Sequence, residues 1–261
     1  VTARLRGEVS IPLVTSNRIN MPDVAEKVLS GGDADMVSMA RPFLADPNWV
    51  KKAEANTPDR INTCIACNQA CLDLIFQNKR ASCMVNPLAC YETEVSLEST
   101  PTPKHIAVVG AGPAGLAFST TAAERGHTVT LFDAAPEIGG QFNMAKRIPG
   151  KEEFYETLRY FEVRIKETGV DLQLNTRVDA DTLSEGYDAV ILATGVTPRK
   201  LDLPGIDHPS VLSYIDVLKN NAPVGKRVAL IGAGGIGFDV AEFLTHHEGS
   251  ADAIDEYLTE W

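Results

Sequence analysis

Two apolar patterns alternate along the chain. Short runs rich in β-branched residues at 11–15, 35–39, 106–109, 128–132, 189–193 and 227–231 each predict a buried strand. Between them lie stretches of helical period. Residues 21–30 carry Val24, Ala25, Val28 and Leu29 on one face and stop at Gly31 and Gly32. A helix is predicted from Pro113 through Arg125, an amphipathic one over 155–168, and another over 238–244. Strand, helix and strand in succession is the grammar of parallel sheets with crossover helices, so the chain reads as α/β.

Four segments follow from this pattern. Residues 1–50 read as βαβα, a pattern that the C-terminal end of a (β/α)8 barrel shares with other parallel sheets. Residues 51–103 hold every cysteine and close in a Ser-, Thr-, Pro- and Glu-rich linker at 92–103. Residues 104–225 predict a Rossmann-type dinucleotide domain. Residues 226–261 predict the start of a second one, with no strand in the tail at 247–261.

The chemistry begins at the strand-to-helix junctions. Gly110, Gly112 and Gly115 stand in G-x-G-x-x-G spacing, with Pro113 and Ala114 between the last two. The first glycine permits the tight turn, the second admits a pyrophosphate, and the third lets helix and sheet touch. The helix N-terminus then offers free N–H groups to the phosphates. Asp133 ends the next strand about 20 residues on, where a carboxylate grips a ribose hydroxyl and repels a 2′-phosphate. NAD and FAD both satisfy this motif. Gly232, Gly234 and Gly237 repeat the spacing. Glu256 lies at the corresponding distance, but no predicted strand leads to it, so this second loop does not choose between NADH and NADPH.

Composition narrows the partners. The net charge of −11 disfavours nucleic acid. No apolar run approaches the roughly 20 residues of a membrane span. The first residues, which lack an initiator Met, do not read as a secretory signal. A cytoplasmic protein is expected. Its five cysteines are clustered rather than scattered, which suits a metal centre over a disulfide framework. Cys64, Cys67, Cys71 and Cys83 are spaced C-x2-C-x3-C-x11-C. Three close thiolates and a distant fourth suit a [4Fe–4S] cluster. Zinc accepts four thiolates too, usually as two paired knuckles, and the second pair is missing here. Cys90 is left over, either as a buried or inert thiol or as a substitute for Cys83.

Arg18 and Arg41 each follow a predicted strand of the first segment. The last strands of (β/α)8 barrels commonly supply a phosphate site there, so both are candidate phosphate ligands. Residues 138–141 and 193–195 resemble recurring motifs of two-dinucleotide flavoproteins of the glutathione-reductase type. That likeness implies FAD in the first Rossmann unit and NAD(P)H in the second.

The order of parts resembles the bacterial NADPH-dependent 2,4-dienoyl-CoA reductases of the old-yellow-enzyme barrel group. The likeness covers essentially the whole chain and is densest at 33–46, 62–73, 139–141, 148–159 and 234–238. It implies electrons passing from NADPH to FAD, singly through a 4Fe-4S cluster to FMN, and on to an unsaturated acyl-CoA of fatty acid β-oxidation. It implies Arg18, Ala40 and Arg41 at the FMN phosphate. Cys64, Cys67, Cys71 and Cys83 would hold the cluster. Gly110, Gly112, Pro113, Ala114, Gly115, Asp133, Gly140, Gln141, Val178, Ala193 and Gly195 would hold FAD, and Gly232, Gly234 and Gly237 would hold NADPH. The family's proton-donating Tyr and His have no counterpart here, so the chain reads as an internal fragment of a protein that is monomeric at full length. Related enoate reductases and amine dehydrogenases, an electron-transfer module, and an inactive truncated product are the competing readings.

Overall fold

A computed structural model describes residues 2–199 and 201–246. The expectations for Glu256 and the tail at 247–261 lie outside these residues. The chain is α/β with two parallel sheets. The N-terminal segment contains α1 (Thr2–Leu5), β1 (Val14–Thr15), α2 (Pro22–Ser30), β2 (Met36–Val37), α3 (Arg41–Ala45) and α4 (Trp49–Glu54). β1 and β2 pair in parallel, as the βαβ pattern predicts, but over two residues each. Ile19, Ala25, Trp49 and Ile61 form its small core. Asp46, 3% exposed, knits this segment to the cysteines. Its carboxylate accepts from Lys52 Nζ at 2.5 Å, the Asn62 amide at 2.8 Å and the Asn48 amide at 2.9 Å.

After α5 (Leu72–Phe76) comes the larger sheet, built from β3 (His105–Val109), β4 (Thr128–Phe132), β5 (Asp171–Gln173) and β6 (Ala189–Leu192). Its order is β5-β4-β3-β6, all parallel. The chain steps outward from β3 in one direction and then returns to β3's other side. That reversal opens a crevice beyond the strand ends, where dinucleotides bind in this architecture. The sequence pattern misses β5, whose three residues Asp-Leu-Gln are too few and too polar to signal a strand.

α6 (Pro113–Glu124) covers one side. Gly112 caps it in an extended conformation and Pro113 occupies its first turn. Leu116, fully buried with Val108 and Leu131 in the sheet core, contributes about 2 kcal/mol by leaving water. α8 (Glu153–Thr168) follows the short α7 (Phe142–Ala145). Glu153 and Glu156 in its first turn and Lys166 in its last complement the helix dipole, and Gly169 ends it at φ 71°.

Beyond α9 (Ala180–Leu183), α10 (Tyr214–Leu218) and α11 (Gly235–Thr245) pack on α7 through Met144, Ile148, Val217, Leu218 and Val240. The strand expected at 227–231 does not form, which corrects that expectation. A strand exists only where a neighbour takes its N–H and C=O groups, and no described segment pairs with this one. Leu230 and Ile231 remain exposed.

Candidate cofactor site

Local sequence shapes the first glycine loop. Gly110 leaves β3 at φ 109°, a backbone that favours glycine, and a Cβ there would strike the carbonyl of Ala193 at the end of β6. A Cβ on Gly115 would lie far inside contact with the Gly110 carbonyl oxygen. Gly112 meets nothing within 4 Å, so space remains beside the N-terminus of α6. These are the three roles that a pyrophosphate cradle assigns to its glycines.

The other expected FAD residues gather around this loop. Asp133 at the end of β4 accepts from the Ala111 amide at 2.7 Å and the Ala135 amide at 2.8 Å. Its carboxylate therefore staples the loop as well as offering lone pairs to a ribose. Thr176 donates its amide to the Asp133 carbonyl at 2.9 Å, which brings the stretch leading to Val178 alongside. Gly140 lies against the loop, with its Cβ position 3.2 Å from Gly112 Cα. Gln141 donates from Nε2 to the Val196 carbonyl at 3.0 Å, just past Gly195. Ala193 donates its amide to the Val109 carbonyl at 2.8 Å.

The second loop has nearly the same local form without a strand before it. Gly232 has φ 118°, Gly234 is the extended cap of α11, and a Cβ on Gly237 would strike the Gly232 carbonyl. Gly234, like Gly112, meets nothing within 4 Å.

Cys64, Cys67, Cys71 and Cys83 line one hollow of about 290 Å³, a volume that includes space continuous with solvent. Ala66 and Asn68 take left-handed backbones at φ 54° and 59°, which turn this tight loop around the hollow. The Ser82 amide donates to the Ala70 carbonyl at 2.6 Å, which draws Cys83 to Cys71. Asn62 Nδ2 holds the Val85 carbonyl at 2.7 Å, and Asn86 Nδ2 holds the Leu44 carbonyl at 2.8 Å. Cys90 is exposed, which excludes the buried one of the expected alternatives, and it is not among the residues that line the hollow.

Burial pushes the Cys64 and Cys83 thiols up. The Ala66 amide at Cys64, and the Val85 and Asn86 amides at Cys83, pull the other way. Loading such thiols with metal releases protons. Among the described residues no three His, Cys, Asp or Glu side chains close on a single ion position. One zinc ion with bonds of about 2.3 Å needs its four sulfurs nearly touching. Four thiols on one hollow are a donor set of the kind that an iron–sulfur cluster or a zinc ion takes.

The residues expected at the FMN phosphate also have partners within the chain. Arg18, in a left-handed turn with Asn17, forms an ion pair with Glu153 on α8. Arg41 lines the cysteine hollow and donates to Asn68 Oδ1 at 2.6 Å. Ala40 precedes the short α3 as its cap. A phosphate at Arg18 would compete with Glu153 for the guanidinium.

One helix joins the two better-formed sites. On α8, Leu158 fills the space against Gly139, where a Cβ would come within 2.8 Å of Cδ2. The next residue, Arg159, donates to the Ile61 carbonyl at 2.8 Å and to Thr63 Oγ1 at 3.1 Å, and also to the Asp59 carbonyl. Thr63 precedes Cys64. Sequence reading did not single out Arg159, Asn68, Glu153 or Asp46 as site residues. Their long-range partners lie 16 to 135 positions away, and none sits in a motif of its own.

Residues 104–256 match the pyridine nucleotide-disulphide oxidoreductase family, and residues 1–60 match the NADH:flavin oxidoreductase / NADH oxidase family. A metal reductase of Desulforamulus reducens is 38% identical over 92% of the chain and 37% of its own length. An NADH oxidase of Thermoanaerobacter brockii is 36% identical over 97% of the chain and 40% of its own length. The structure of a 2-naphthoyl-CoA reductase in complex with 2-naphthoyl-CoA superposes with a TM-score of 0.86 at 35% identity, covering 91% of this chain and 36% of that one. The chain thus spans 37–40% of the length of these two curated relatives.

Proposed function

We propose that this chain, which belongs to the pyridine nucleotide-disulphide oxidoreductase family, is the electron-delivery part of an NADPH-dependent iron–sulfur flavoprotein reductase. Its substrate class is conjugated unsaturated acyl-CoA thioesters, with 2,4-dienoyl-CoA as the specific candidate. The observation that carries this reading is the pairing on α8. Adjacent residues Leu158 and Arg159 meet, respectively, Gly139, whose amide donates to the Ala111 carbonyl of the flavin-type loop, and the cysteine segment. One rigid element thereby fixes a dinucleotide cradle relative to a four-thiol hollow, as electron transfer between two centres requires. A 2-naphthoyl-CoA reductase among the similar structures supports the thioester class.

When bound, FAD and a 4Fe–4S cluster supply the conversion of two-electron hydride chemistry into single-electron relay. The chain's residues hold and orient them. The α6 N-terminus and Gly112 would receive the FAD pyrophosphate, with Asp133 at the ribose. The α11 N-terminus and Gly234 would receive that of NADPH. Cys64, Cys67, Cys71 and Cys83 would supply thiolates, and Arg18, Ala40 and Arg41 would meet an FMN phosphate. We assign no residue of the chain to proton donation. Among the described residues no helix is long and apolar enough to cross a membrane.

Anaerobic reconstitution tests the reading. Flavin absorption in the blue and about four irons per chain are expected, and stoichiometric zinc with no iron would sink the cluster. Cys83→Ser is expected to lose the iron, while Cys90→Ser keeps it at the wild-type level. Iron loss from the Cys90 variant alone would reverse the ligand assignment. The chain by itself is expected not to reduce dienoyl-CoA, and turnover in a spectrophotometric assay would contradict that.

A further inference from the structure

We infer that Arg159 couples the two cofactor sites, so that filling the cysteine hollow tightens flavin binding at the first glycine loop, and the flavin tightens the hollow in return. The inference rests on the FAD and cluster readings proposed above. Arg159 acts as a positioning residue between them. It reaches from α8 to three groups of one short segment: the Asp59 carbonyl, the Ile61 carbonyl at 2.8 Å and Thr63 Oγ1 at 3.1 Å. Ile61 and Thr63 are buried. Its Nε donates to Glu156 Oε2 at 2.6 Å, one turn back on the same helix, which aims the guanidinium. The segment it grips leads to both ends of the thiol set. Thr63 precedes Cys64, and Asn62 Nδ2 donates at 2.7 Å to the carbonyl of Val85, two residues after Cys83. On the other side, Leu158 lies against Gly139, and the Gly139 amide donates at 2.7 Å to the Ala111 carbonyl inside the glycine loop.

Binding at either site has to order the chain around it. Metal bonds fix the four thiolates, and through Asn62 and Thr63 they fix the acceptors of Arg159. A planar guanidinium bonded at three points resists both sliding and rotation of its helix, so the place of Leu158 and the Gly139 turn are set as well. Flavin binding needs that turn and the loop at 110–115 held in one arrangement. The group that arrives second finds part of the ordering already done, which is positive cooperativity without contact between the two groups. Coupling of this kind is reciprocal. A second tie between α8 and the same segment is the Arg60–Glu167 ion pair at 2.6 Å, about two turns further along the helix, with Arg60 half exposed. An exposed pair holds loosely. It helps to keep the helix docked without fixing Leu158.

The test is equilibrium dialysis of FAD against the full chain, either reconstituted anaerobically with iron and sulfide or kept metal-free under reductant, with iron counted in each sample. The wild type is expected to bind FAD about tenfold more tightly when loaded. FAD is expected in turn to protect the iron from a chelator. Arg159→Ala should take up full iron and bind FAD in the metal-free state like the wild type, yet gain nothing on loading. A merely structural role would weaken both states alike, and that result, or a tenfold gain kept by Arg159→Ala, would overturn the inference. Arg60→Gln should keep the gain. Its loss there as well would give the coupling to the docking of α8 as a whole and overturn the assignment to Arg159. If Arg159→Ala does not fold, Leu158→Val decides, since it relaxes the Gly139 contact and leaves the Arg159 bonds in place. It should lose most of the gain, and a full tenfold gain there would overturn the inference. A loaded wild type that binds FAD no more tightly than the metal-free one would overturn the inference alone. A wild type that takes up no iron, or no FAD in either state, would overturn the underlying reading as well.

Discussion

Gly115→Ala is expected to strip the flavin unit of its dinucleotide and to destabilise the fold by about 3 kcal/mol or more. The added Cβ would fall on the carbonyl oxygen of Gly110, a backbone atom fixed by the β3 terminus, with Ala193 Cβ 3.5 Å away on the other side. Neither neighbour is a flexible side chain that can swing aside. Relief requires α6 to lift from the sheet, which would open the packing of the fully buried Leu116. The denaturation midpoint should fall, and flavin absorbance should be lost on gel filtration. Gly112→Ala separates binding from folding. Its φ of −77° suits alanine and its Cβ meets nothing within 4 Å. Stability should therefore move by less than about 0.5 kcal/mol. The methyl instead occupies the space left for pyrophosphate, so flavin affinity should drop tenfold or more, about 1.4 kcal/mol. A Gly112→Ala variant that holds flavin as tightly as the wild type would contradict the placement of the pyrophosphate there.

Asp46→Ala is the second large effect, expected at about 3 kcal/mol, near the lower end for breaking a buried pair. The carboxylate is almost wholly buried and satisfies three donors: the Lys52 ammonium and the Asn48 and Asn62 amides. Lys52 retains some access to water, so its loss is partly made good. The Asn62 amide has no such recourse. Asn62 also holds the Val85 carbonyl, two residues after Cys83, so loosening it frees the fourth thiol. The variant should lose iron faster than the wild type under a chelator while its flavin loop is unaffected. Asp46→Asn should fall between, since an amide oxygen still accepts but the charge facing Lys52 is gone. Unchanged stability and iron retention in Asp46→Ala would remove Asp46 from the support of the hollow.

The sequence by itself determined the features whose causes are local. Pattern and period placed α2, α6, α8, β3, β4 and β6, because alternation and helical spacing act within a few residues. Both glycine loops were legible for the same reason. Gly232 to Gly237 turns like Gly110 to Gly115 even with no strand before it, so the turn is set by its own glycines. The four-cysteine spacing likewise announced a thiolate site.

Tertiary structure decided what depends on distant partners. The expected strand at 227–231 has the right composition but no ladder to join. β5 has a poor composition, yet it forms because Leu131 and Phe132 of β4 offer an edge to Leu172 and Gln173. Cys83 and Cys90 are equally thiols in the sequence. Only the bonds from Ser82, Asn62 and Asn86 turn Cys83 into the hollow and leave Cys90 outside it. Arg18 and Arg41 looked alike as cations after strands, and the fold gave one to Glu153 and the other to the cysteine loop. Periodicity records which face of an element is apolar. It carries no information about which charged or amide group from a remote segment will arrive to meet it.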